Sequence, residues 1–448
     1  MKVTVKSTTM VQPAERMRRH SLWLSNLDLL QLRSHVTRVI SAYNKPASSS
    51  SSESCFFDTK VVKEALSKTL VPFYPVAGRL RRRDGNGGRL ELDCNDEGVL
   101  FQEAESEAVL AEVKELLLMA DGLEFSPGEE AELLELFPRV DYSKGVSSYP
   151  LLIVQVTRFK CGGICLGIGI HHALADGESS VSFINTWADM ARGLPVEATL
   201  FWDRTILRAR RPVTPEFHHV EYDPDPTMMI TDNNPPKPAA TVAILKITAE
   251  QLNTLKDRAM ARSRYSTYEI LTSHIWRCAI KARGLVNEQP TKLHISLDGR
   301  SRLSPPLPAG YFGNVIFHAT PVALAGELAS EPLPRTLERI QQALSRMDDE
   351  YLRSAIDYLE DPNNPEGIIQ VQTHCRSPNL WVVSWMRFPF KTADFGWGSS
   401  TLFHVADISE GMGILLPRNP ADGSLSLAIC LESDVMEGFK KMFYEFDP

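Results

Sequence analysis

Apolar and polar positions alternate along "MKVTVKSTTMVQP" and predict a first strand that Pro13 closes. A serine run at 48–52 forms a polar loop tip. It separates a second strand from a helix in "FFDTKVVKEALSKTL". In "VPFYPVAGRLRRR", Pro72 and Pro75 forbid a helix and Gly78 allows a turn. The runs "GRLELDCND" and "GVLFQEAES" predict two strands paired with each other, and the acidic, leucine-rich stretch 103–137 predicts helix. Two apolar runs flank "KCGG" in "YPLLIVQVTRFKCGGICLGIGIHHALADG", the pattern of a β-hairpin with a glycine turn. Val181, Ile184, Trp187 and Met190 then recur at helical spacing up to Gly193.

Residues 205–240 are rich in proline and lack periodicity, which suits a crossover between domains. Beyond them come a strand "ATVAILKIT", helices "AEQLNTLKDRAM" and "STYEILTSHIWRCAIKARG", a strand "KLHISLDGR" and a loop "LSPPLPAGYFGN". One helical stretch is expected from about 331 to 358, then a strand "SLSLAICLES" and a closing amphipathic helix. The pattern gives a mixed α/β chain in two domains, 1–204 and 241–448, joined by 205–240; part of 370–400 is a candidate to pack with the first domain.

The length of 448 residues agrees with more than one domain. A net charge of −8 and the absence of a dense basic patch argue against nucleic acid as a partner. No apolar run approaches the ~18 residues of a membrane span, and the first residues lack a signal-peptide pattern. Seven cysteines at irregular spacing point to reduced thiols and a cytoplasmic setting. Cys161 and Cys165 lie near His171 in sequence, but no fourth ligand is evident and no metal site is expected.

"GIGIHHALADGESS", residues 167–180, is the candidate for chemistry. On a helix His172 and Asp176 would share a face; the strand-like, glycine-broken approach places them at a strand end instead. Alternation then sends His171 and His172 to opposite sides, so one of them at most reaches a given cleft. A neutral imidazole there can take a proton from an attacking hydroxyl or amine; two satisfied core histidines are the plain alternative. "DFGWG", residues 394–398, lacks the companion motifs of a kinase, and "SLDGRSR" ends a strand in one carboxylate and two guanidiniums, a structural ion pair or an anion site.

Together these segments resemble the plant BAHD acyltransferase family. His172-Ala173-Leu174-Ala175-Asp176 matches its HxxxD motif, with Gly177 following. Asp394-Phe395-Gly396-Trp397-Gly398 matches its DFGWG motif unchanged. "LWLSNLD", "LVPFYPVAGRL", "DYSKGVSSYPLL", "ARGL", "STYEIL", "DGRSR", "GYFGNV" and "DGSLSLAI" extend the likeness along nearly the whole chain, closest to the hydroxycinnamoyl-CoA transferase branch. The resemblance implies two similar chloramphenicol-acetyltransferase-like domains with a channel between them. Acyl-CoA, a substrate and not a cofactor, enters from one face and a small phenolic or hydroxy-acid acceptor from the other. His172 is implied as general base and the indole of Trp385 as an oxyanion donor. Asp176 is implied to brace its loop through Arg300, with DFGWG away from the reacting atoms. Relatives of this kind act as monomers.

The acceptor positions depart from the shikimate-using members. Their carboxylate-clamping arginine, eight residues before "PNL", is Gln370 here; their threonine before "SW" is Val383; a tyrosine of the first strand region is Ser41. Gln370, Trp381 and Val383 are similar to rosmarinate synthase, and Thr37 completes the implied acceptor set. The acceptor reading therefore leans to a hydroxyphenyllactate. Shikimate or quinate, an aromatic amine, and a non-catalytic acyl-CoA or phenolic binder are the alternatives.

Overall fold

The computed structural model describes residues 1–32, 37–46, 56–83, 88–113, 124–125, 127–196, 199–223, 239–259, 264–361, 375–389, 393–406, 408–417 and 422–445. Its framework is two sheets, each with its own hydrophobic core. The first sheet joins β1 (Val3–Val11), β3 (Thr37–Tyr43), β6 (Val99–Ser106), β8 (Leu152–Phe159), β9 (Ile164–Ile170) and β15 (Leu402–Val405), in the order β1-β6-β8-β9-β3-β15. The second joins β7 (Glu124–Phe125), β10 (Ala240–Ile247), β11 (Pro290–Asp298), β12 (Ile316–Ala319), β14 (Leu380–Ser384), β16 (Met412–Leu415) and β17 (Leu425–Glu432), with β13 (Val322–Leu324) beside β11. Its order is β12-β11-β14-β16-β17-β10-β7. Each sheet therefore takes one strand from the other half of the chain. β15 pairs antiparallel with β3, and β7 with β10.

The hairpin at "KCGG" forms as its pattern predicts, with Arg158 opposite Ile164. Helix Gly177–Ala191 follows; its Trp187 is fully buried and donates its indole N–H to Val62 O at 2.9 Å, tying it to helix Thr59–Thr69. On the second sheet lies helix Thr267–Arg283. Ser266 and Glu269 close a capping box at its start, and Gly284 ends it with φ 58°, a left-handed turn that favours glycine.

Four local expectations need correction. A short 3-10 helix spans Tyr74–Ala77 despite the prolines, because Pro75 sits in its first turn, where no intrahelical N–H bond is lost. The runs read as a strand pair are in different sheets. β5 (Leu90–Cys94) lies between β2 (His20–Trp23) and β4 (Arg79–Arg82), while β6 lies between β1 and β8. A left-handed bend at Asp96 (φ 56°) and Gly98 (φ 95°) separates them. Within 103–137, β6 runs on to Ser106 and a helix forms at Pro127–Leu134; much of the rest lies outside the described residues. The stretch 331–358 is two helices, Leu333–Ser345 and Asp349–Glu360, because Asp348 turns its carboxylate to Tyr351 N and caps the second.

Of the crossover, residues 224–238 lie outside the described residues. The part before them is fastened to helix Asp349–Glu360, where Arg210 Nε meets Asp357 at 2.6 Å. Among the described residues no helix is long and apolar enough to cross a membrane.

Candidate active site

β9 delivers both histidines at its C-terminal end. His171 is fully buried, and its Nδ1 accepts the Ala173 N–H at 3.2 Å. Its ring stacks on Tyr149 with centroids 6.0 Å apart. His172 faces a cavity of about 300 Å³. Trp381, Val383, Trp385, Ile316, Met412 and Ile414 supply the apolar wall, and Gln31 and Ser296 add polar atoms.

The ring of His172 is oriented by Asn314. His172 Nδ1 lies 3.1 Å from Asn314 Oδ1, while Asn314 Nδ2 donates to His172 O at 2.8 Å and to Asp28 Oδ1 at 3.0 Å. Both protons of the amide face acceptors, so its oxygen faces the ring. Nδ1 must then carry the imidazole proton, leaving Nε2 with its lone pair. Burial lowers the His172 pKa below the ordinary histidine value, which keeps the ring neutral.

Asp28 is itself gripped. It forms a fully buried ion pair with Arg204 at 3.0 Å and a capping box with Ser25. Arg204 also donates to Ala173 O at 3.2 Å and Leu174 O at 2.7 Å, so the same cation supports the turn after His172. Spacing arguments gave no sign of Asn314, Asp28 or Arg204, because these contacts span long stretches of chain. The first two do fall inside "GYFGNV" and "LWLSNLD".

Asp176 points away from the imidazole. Arg300 donates to it twice, at 2.8 and 3.0 Å, and Ser179 N and Val315 N add 3.0 and 3.1 Å. Burial alone would raise the pKa of this carboxyl. The Arg300 charge and these donors outweigh burial, and the group titrates below the ordinary aspartate value. As N-cap of helix Gly177–Ala191, the carboxylate also meets the positive end of the helix dipole. A Cβ at Gly177 would stand 2.5 Å from the ring of Phe388, a cavity residue, so a side chain there would push that ring aside.

Trp385 is buried and lines the cavity. Trp381 lines it too, its indole N–H donating to Ser296 Oγ at 2.8 Å. The DFGWG turn sits elsewhere. Asp394 accepts Gly396 N and Gly398 N, both at 2.8 Å, and the two glycines have φ 103° and 94°. Phe395 is buried against Trp187 at 4.9 Å, and Trp397 lies 5.2 Å from Phe57. This turn thus packs into the first core. Gln370 and the Thr37 side chain lie outside the described residues; the Thr37 backbone pairs with Ile170 in the first sheet. Ser41 is buried in the same strand.

A second Ser–His–carboxylate set escaped the sequence reading. Ser354 Oγ lies 2.9 Å from His219 Nε2, and His219 Nδ1 lies 3.0 Å from Glu221. Ser354 Oγ also accepts the N–H groups of Glu216 and Phe217, and all three side chains are buried. The hydroxyl is saturated and sealed, which suits a latch for the crossover and not a nucleophile.

Residues 1–446 match the Transferase family. The chain is 47% identical to shikimate O-hydroxycinnamoyltransferase of Nicotiana tabacum, with all of both chains covered. It is 44% identical to rosmarinate synthase of Plectranthus scutellarioides, over 99% of this chain and 100% of that one. The crystal structure of vinorine synthase superposes with a TM-score of 0.71 at 22% identity, over 98% of this chain and 96% of that one, a likeness of fold. The two-sheet architecture, the full-length family match and these relatives together establish that the chain belongs to the Transferase family, the BAHD acyltransferases.

Proposed function

We propose that the protein transfers a hydroxycinnamoyl group, coumaroyl or caffeoyl, from its CoA thioester to a hydroxyl of a small acceptor in phenylpropanoid metabolism, with His172 as general base. The observation that carries this is the locked imidazole: Nδ1–H is held by Asn314, and Nε2 is basic beside an apolar cavity. Nε2 takes the acceptor O–H proton as that oxygen attacks the thioester carbonyl. The carbonyl becomes a tetrahedral oxyanion, and a donor from the Trp385 indole contributes about 3 kcal/mol to the transition state. The oxyanion collapses, the C–S bond breaks, and the CoA thiolate leaves with the proton from His172. No acyl-enzyme forms. Asp176 and Arg300 hold the loop and do not touch substrate.

The acceptor reading leans to a hydroxyphenyllactate. Val383 and Trp381 give the cavity an apolar wall that suits an aromatic ring. Shikimate is the second reading, favoured by the 47% identical tobacco relative. The test is purified protein with p-coumaroyl-CoA and acceptors of both classes, an aromatic amine included, following CoA release. Product with at least one hydroxyl acceptor, lost in His172→Ala, supports the reading. Binding without turnover, or full activity in His172→Ala, overturns it.

A further inference from the structure

Gln31 follows the short helix Asn26–Leu29, is 3% exposed, and lines the cavity that holds His172. Its Oε1 is buried and has no hydrogen-bond partner among the described residues. Buried side-chain acceptors are normally paired; Gln31 belongs to the cavity wall and its oxygen is unpaired, which leaves a bond for a ligand to complete once it reaches the amide.

The support beneath this residue is rigid. Gln31 N donates to Asp28 O at 3.0 Å, and Asn26 Nδ2 donates to Leu359 O at 3.0 Å. Residues three apart share a helix face. Asp28 holds Asn314, and Asn314 holds His172. One anchored turn therefore carries both the support of the base and the open amide. Two other polar groups of the cavity are already engaged. Ser296 Oγ accepts the Trp381 indole, and Arg300 is committed to Asp176.

We infer that Gln31 is a specificity-determining residue whose Oε1 accepts a hydrogen bond from a substrate hydroxyl that is not the one acylated. The inference deepens the proposed transfer reaction and rests on it for the identity of the substrates. Such a hydroxyl has two sources: a second hydroxyl of the acceptor, or the phenol of the acyl group. A methionine at this position would fill the same space without the acceptor atom. It would erase the preference for a hydroxylated ligand over its deoxy twin.

The experiment is a calorimetric titration of the full chain, wild type and Gln31→Met, with two matched pairs. One pair is 4-hydroxyphenyllactate and phenyllactate; the other is p-coumaroyl-CoA and cinnamoyl-CoA. Wild type is expected to bind the hydroxylated member of one pair at least tenfold more tightly. In Gln31→Met that ratio falls to near one, with the other pair unchanged, and the pair that responds identifies the source. Gln31→Asn, which withdraws the amide by one methylene, gives the same loss and serves if the methionine variant does not fold. Equal ratios in wild type and variant for both pairs, or no preference in wild type, overturn the inference. Binding needs no turnover, so a failed transfer assay strikes the proposed reaction separately.

Discussion

Asn314 Oδ1 accepts the Nδ1–H of His172 at 3.1 Å, and Asp28 fixes the amide that does so. The basicity of the cavity therefore depends on a residue that is not part of its wall. Asn314→Ala frees the ring to rotate and exchange tautomers. Steady-state kinetics should show kcat reduced about 10–100-fold, the size of effect seen when a ligand-orienting partner is removed. The acceptor KM should change little.

Asp176 and Arg300 form a nearly buried pair, 3% and 12% exposed at the side chains. Removing one partner of such a pair costs about 3–5 kcal/mol, because the other charge stays uncompensated. Asp176→Asn should lower Tm by several degrees in a thermal melt. His172→Ala should leave Tm close to wild type and abolish turnover. An Asp176→Asn protein with wild-type Tm and no activity would contradict the bracing role.

The acid limb of kcat/KM should lie below pH 6.5. Burial depresses the His172 pKa from 6.5, so the free base persists into more acidic solution than an exposed histidine allows. A pH–rate profile with saturating acyl-CoA measures it.

Stability should fall as pH drops from 6.5 toward 4. Burial lowers the pKa of His274 and of His404 to about 4. Between these values the unfolded chain binds protons that the folded protein refuses, so the contribution is full above pH 6.5 and lost on the way down. Urea midpoints at pH 7 and pH 4.5 should differ, and His404→Gln should reduce the difference.

Ser354 should not behave as a nucleophile. A fluorophosphonate probe is expected to leave the protein unlabelled. Ser354→Ala should instead lower stability by about 1–3 kcal/mol, since the Glu216 and Phe217 N–H groups lose their acceptor. Activity per folded molecule should stay at the wild-type level.

Elements with strong periodicity were legible. The hairpin around Gly162, helix Gly177–Ala191 and the strand at 425–432 all lie where their patterns place them. Partnerships were not. β5 parts from β6 at a left-handed bend at Asp96 and Gly98; both residue types accept that conformation, but the same tolerance suits a tight hairpin, so the pattern alone does not choose between them. In the site, His172 and Asp176 share one short loop, so their nearness was readable from the chain, while the roles expected of them came from the family resemblance. Asn314, Arg204 and Gln31 reach the cavity region from distant segments, and their burial is decided by packing. Pattern cannot see an unpaired amide oxygen.

The exchange of β7 and β15 between the sheets bears on the birth of the protein. Thr401 N donates to Ala42 O at 2.7 Å, across a separation of 359 residues in the same pair's hydroxyl contact. At a synthesis rate of about 5–20 residues per second, the edge of β3 waits roughly 20–70 seconds for its partner strand. Throughout that interval the nascent chain carries an open strand edge that can pair with another chain.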